Sequence, residues 1–142
     1  MGLYNFGLSY LETARAASKV SSQFTFTDPI EFLCAHGLEL IFKADLCRTR
    51  ELETVRQKFG HSLPKLRDAL SGEFVLQFPI TSELGSVVDY LAIGHSGPNW
   101  RNRYIVTGVR QHLTPSQILS PLAVFDTNNR SWLTGHFKKA QS

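Results

Sequence analysis

Cysteine is scarce in this chain of 142 residues: there are two, Cys34 and Cys47. Both fall on one predicted helix, where a separation of thirteen residues at about 1.5 Å each sets them roughly 20 Å apart, too far for a disulfide. Their spacing matches neither a zinc motif nor a Cys-x-x-Cys pair, so the cysteines predict no metal site, and no cofactor is expected. Two thiols at apolar positions suit a reducing cytoplasm, and both read as core. Long apolar runs are missing as well. No stretch approaches the roughly 18 uncharged apolar residues that span a bilayer. The opening "MGLYNFGLSYLETARAAS" has neither a basic n-region nor a compact apolar h-region, and Asn5 and Phe6 do not fit the myristoylation pattern. The expectation is a cytoplasmic protein with no membrane association.

Charge is sparse too. Charged residues make up 19% against 42% hydrophobic, which is globular composition and excludes a disordered chain. A net charge of +3, with nine arginines and six lysines spread along the sequence, permits a phosphate-bearing partner without demanding one. Residues 1–142 have the length of one ordinary domain.

What is present is helix after helix. Leu8, Leu11, Ala14 and Ala17 recur at steps of three and predict a helix over 7–20. Asp28, Pro29 and Glu31 form a start signal, with Asp28 as cap and Glu31 closing a capping box, for a second helix running to about Arg48. Ile30, Leu33, Cys34, Leu38, Leu40, Ile41, Phe42 and Leu46 surround that helix with apolar surface, which predicts a place at the centre of a bundle. Shorter helices are expected over 51–58, then from Ser62-Leu63-Pro64 and over 83–94. "SGEFVLQFPIT" has an ambiguous period, and "GHSGPNWRNR" reads as loop. Thr114-Pro115-Ser116-Gln117 has the form of a capping box, and Pro121 either kinks the helix that follows or marks its true start. The sum is an all-α bundle. The later aromatics Phe125, Trp132 and Phe137 exceed what one short helix buries and point to a homodimer.

Three constellations bear on function. An Arg-x(4-6)-His pattern, the signature of a metal-independent ribonuclease, occurs twice, as Arg56 with His61 and Arg130 with His136. With this composition about one match arises by chance, so the pattern decides little. Gly60 between Arg56 and His61 marks a helix-to-helix corner, where a histidine also serves as a simple polar filler. On the second helix His36, Glu39 and Lys43 stand at i, i+3 and i+7 and share about 60° of arc, either as an ion pair at the bundle rim or as a functional pocket. In "NWRNRYIVTG", Arg101 and Arg103 alternate with Trp100 and Tyr104, a mixture suited to holding a phosphate or stacking a base, or to anchoring a loop.

Together, "FLCAHGLELIFKADLCRTR", then "FGHSLPKL", then "RYIVTG" resemble the HEPN superfamily. The likeness is to members with a His-x-x-Glu-x-x-x-Lys helix, a Gly-His-x-Leu corner and a later Arg-Tyr segment. It implies a HEPN-like antiparallel bundle of four or five main helices, frequent homodimers, and roles in ribonucleolytic toxins, antiphage defence and RNA processing, often beside a nucleotidyltransferase-like partner protein. Carried onto this sequence, it implies His61 and Arg103 as catalytic groups and His36, Glu39, Lys43 and Tyr104 as binding residues, acting on RNA or a nucleotide. Where the family's late Arg-x(4-6)-His would fall, Arg101-Asn102 is followed by Thr107 rather than a histidine. The expectation is therefore an RNA- or nucleotide-linked protein, as a metal-independent ribonuclease, or else a non-catalytic module that binds a ligand or partner chain. In either case His36, Glu39, Lys43, His61, Arg103 and Tyr104 are expected to converge.

Overall fold

The structure, a computed structural model, describes residues 2–20, 27–95, 113–126 and 132. Seven helices and no strand occur among them, which agrees with the all-α expectation. They are α1 (Gly2–Val20), α2 (Asp28–Leu46), α3 (Leu52–Phe59), α4 (Leu63–Asp68), α5 (Gly72–Gln77), α6 (Ser82–His95) and α7 (Pro115–Leu122).

The apolar girth of α2 sends it to the centre. Thirteen of its 19 residues are buried, and it packs against α1, α3, α4, α6 and α7. Its start differs from the capping expectation. Thr27 occupies the cap position with no side-chain cap bond, and Glu31 is fully buried, accepting a hydrogen bond from the Tyr90 hydroxyl of α6. A buried carboxylate needs a donor more than a helix end needs a cap, because water still reaches the end. The helix closes at Leu46, not Arg48. Leu40, expected in the core, is half-buried, whereas Leu38 and Ile41 are wholly enclosed. Cys34 is buried, and its burial pushes the thiol up to about 12; Cys47 is only partly covered.

The longest contact, α1 on α2, depends on two glycines. A Cβ on Gly7 would meet the Gly37 carbonyl oxygen at 2.7 Å, and one on Gly37 would meet the Gly7 oxygen at 2.9 Å. Their absence lets the backbones touch and brings Tyr10 of α1 onto His36 of α2, ring centroids 4.6 Å apart. The helix α1 begins at Gly2, five residues before the expected start, because Tyr4 is wholly buried and donates its hydroxyl to the Asp126 carbonyl at 3.0 Å.

The ambiguous segment resolves as helix. Ser71 caps α5 by accepting from the Phe74 N–H, and Phe74 and Phe78, one turn apart, both enter the core with centroids 4.9 Å from each other. There they meet Phe42, Phe125 and Trp132. Phe125 (0% exposed) and Trp132 (7%) are buried in the chain's own core, which removes them from the surplus of aromatic surface on which the dimer expectation drew. Phe137 lies outside the described residues. The Thr114–Gln117 capping box forms as predicted, and Pro121 falls in the last turn of α7, so it does not mark its start.

Candidate functional site

The site is built around one carboxylate. Glu39, halfway along α2, is 2% exposed, and the helical repeat places Lys43 one turn on, with its Nζ 2.6 Å from Glu39 Oε1. The same repeat brings His36 Nδ1 to 3.9 Å from Oε2. The i, i+3, i+7 stripe is therefore a buried pair rather than a rim pair, since Lys43 is itself 6% exposed.

Two further imidazoles come from other elements. At the corner after α3, Gly60 adopts φ +55°, the left-handed region where a side chain is strained, while its N–H still bonds back to the Arg56 carbonyl. The chain turns there and delivers His61, whose Nδ1 lies 3.0 and 3.1 Å from the two Glu39 oxygens. Ser62 and Pro64 then start α4, so the corner is held from both sides. From the last position of α6, His95 points its Nε2 to Glu39 Oε2 at 2.5 Å. His95 is wholly buried, whereas the His61 side chain is 48% exposed. Tyr10 and Phe32 fence the far side of the His36 ring.

Burial alone would raise the Glu39 pKa. Hydrogen bonds from His95 and Lys43, and then their charge, outweigh it and lower the carboxyl to about 2. An ionised carboxylate only accepts, so His61 Nδ1 and His95 Nε2 each carry the proton of their contact. With Nδ1 so engaged, the lone pair of a neutral His61 is on Nε2.

Four of the six predicted residues are thus brought together: His36, Glu39, Lys43 and His61. Arg103 and Tyr104 lie outside the described residues, as do Trp100, Arg130 and His136. Arg56 does not join the cluster; it sits at the surface paired with Glu53 at 3.3 Å. His95 is the residue that the sequence reading missed. The pattern predicts a helix ending at about Gly94 with loop after it, whereas α6 extends one residue further, through His95, which is buried. A signal did exist: Gly60-His61-Ser62 and Gly94-His95-Ser96 repeat one tripeptide, and both histidines reach the same carboxylate. Compared with known proteins, the chain matches no family model, no curated protein and no solved structure.

Proposed function

We propose that the chain is a HEPN-like protein that cleaves single-stranded RNA without metal, with His61 as general base. The observation that carries this reading is the half-exposed His61 ring anchored through Nδ1 on the buried, ionised Glu39. A carboxylate behind an imidazole holds its orientation and tautomer and stabilises the imidazolium formed when the ring takes a proton. Here Nε2 would accept the proton of a ribose 2'-hydroxyl, whose oxygen then attacks the adjacent phosphorus; the P–O5' bond breaks, the departing 5'-oxygen takes a proton from water or from the imidazolium, and a 2',3'-cyclic phosphate is left on the other fragment. Arg103 would stabilise the charge on the phosphorane. Lys43 and His95 keep Glu39 anionic, and Tyr104 and His36 remain binding groups in this scheme. The wider reading follows the resemblance: an antiparallel HEPN-like bundle, a homodimer, and a toxin or antiphage defence role beside a nucleotidyltransferase-like partner.

A second reading is a non-catalytic module that binds a ligand or partner chain. It is favoured by the near-complete enclosure of Glu39 and Lys43, which leaves His61 as the most exposed group of the cluster. Incubating the protein with single-stranded RNA in excess chelator separates the two. Cleavage that disappears in His61→Ala supports the nuclease. No cleavage by the wild-type protein, or cleavage unchanged in His61→Ala, rejects His61 as base.

A further inference from the structure

We infer that His36, Glu39 and His95 form a binding site for a divalent transition-metal ion of the zinc class. This rests on geometry and donor chemistry and does not depend on the nuclease reading.

The three residues each present a ligand atom, and these atoms lie within 4.8 Å of one another. His36 and Glu39 are fixed by the i, i+3 repeat of α2, with Nδ1 3.9 Å from Oε2. His95, 56 residues further along, closes the set from the end of α6, so two packed helices hold it. Lys43 bonds to Oε1, His61 Nδ1 reaches both oxygens from the solvent side, and Oε2 also faces His36 and His95. Two imidazole nitrogens and one carboxylate oxygen suit Zn²⁺, Co²⁺ or Ni²⁺. Ca²⁺ and Mg²⁺, which want mostly oxygen, are excluded by the same donors.

A hydrogen bond now occupies the position that the ion would take. Ligands about 2.0 Å from a tetrahedral ion stand roughly 3.3 Å apart. The ion would open the His95 Nε2 to Glu39 Oε2 contact from 2.5 Å and draw His36 in from 3.9 Å. Those changes are opposite in sign and each is about 1 Å or less, and the two imidazole nitrogens, within 4.8 Å of each other, would close by at most about 1.5 Å. The displaced proton has a place to go, because His95 Nδ1 is buried with no hydrogen-bond partner among the described residues, so nothing locks the present tautomer. Three protein ligands leave at least one coordination position for water or a substrate group. A metal here would also draw Glu39 away from His61, so the same carboxylate serves a base or an ion, not both at full strength.

The test is metal binding itself. Protein stripped with chelator is titrated with Co²⁺, read by visible d–d absorption, and then with Zn²⁺, read by calorimetry. The expected result is one Co²⁺ per chain with the bands of a low-coordinate ion, displaced by one equivalent of Zn²⁺. His36→Ala and His95→Gln should each weaken binding by about tenfold or more. His36 is at the rim of the cluster, 25% exposed, so its variant keeps the test valid should His95→Gln lose helix in circular dichroism. Absence of one-to-one binding at tens of micromolar metal, or affinity unchanged in His36→Ala, overturns the site.

Discussion

Two buried carboxylates stand six residues apart on α2, Glu39 and Asp45, and they are satisfied in different ways. Six residues turn a helix by about 240°, so the two face different neighbours. Asp45 accepts from the Ser71 N–H and hydroxyl, both at 2.7 Å, and from Arg48 at 3.0 Å. Arg48 in turn pairs with Glu73 and lies over the Trp132 ring, 5.3 Å from its centroid. An amide, a hydroxyl and a guanidinium keep their protons at any ordinary pH. Asp45 is therefore a stitch between the end of α2 and the cap of α5. Around Glu39 the donors are a lysine and imidazoles, which exchange protons or accept a metal, and one of them reaches solvent. Burial is alike at the two sites, so function is read from what the partners can give up.

Experiments can break this contrast, starting with the largest expected effect. Asp45→Ala leaves the Ser71 N–H without its acceptor and takes from Arg48 its buried carboxylate, leaving only the half-exposed Glu73, and should cost about 3 to 5 kcal/mol in denaturant unfolding. Single-stranded RNA cleavage per folded molecule should be unchanged. Full stability in this variant would remove the structural half of the comparison.

His61→Ala should do the reverse. Cleavage in chelator should fall by about 10²- to 10⁴-fold, the usual range for a general base. The free energy of unfolding should change by no more than about 1 kcal/mol, because the ring is half in water. Glu39→Gln falls between them, at about 1 to 3 kcal/mol, since the amide still accepts but no longer balances Lys43. Its cleavage rate should drop with that of His61→Ala, and a rate at the wild-type level would separate His61 from its carboxylate.

A subtler difference appears in acid. The Glu39 carboxyl is depressed from 4.5 to about 2, so its ionised form is favoured in the fold. The stabilisation this provides is full above pH 4.5 and is lost as pH falls through the folded value. In metal-free protein the stability gap between wild type and Glu39→Gln should be steady above pH 4.5 and narrow towards pH 2. A gap that widens in acid would reverse the sign and contradict an anionic Glu39. Smallest of all, Arg56→Ala removes only a pair whose partners are about two-thirds exposed, and should alter stability by less than about 0.5 kcal/mol and cleavage not at all. A loss of cleavage would restore the Arg56–His61 pattern as a catalytic motif.

Read without a structure, the chain already contained most of its helices, α5 excepted, because apolar spacing and caps are local. The central place of α2, the Thr114–Gln117 box and the 60° stripe of His36, Glu39 and Lys43 all follow from the helical repeat. Gly60 also marked the helix-to-helix corner, and its positive φ in the structure is a conformation that glycine adopts without strain. Tertiary structure alone decided the rest. Whether the stripe was rim or pocket depended on α6 covering it, and His95 joined it from 56 residues away through packing that no local pattern encodes. The same holds for Glu31, drawn from its expected cap to Tyr90, and for Phe125 and Trp132, absorbed by an aromatic core. Spacing along a helix fixes direction within one turn. Which distant group fills the space it points into is set by how whole helices pack, and the cost of leaving a charge buried and unpaired then selects the partners.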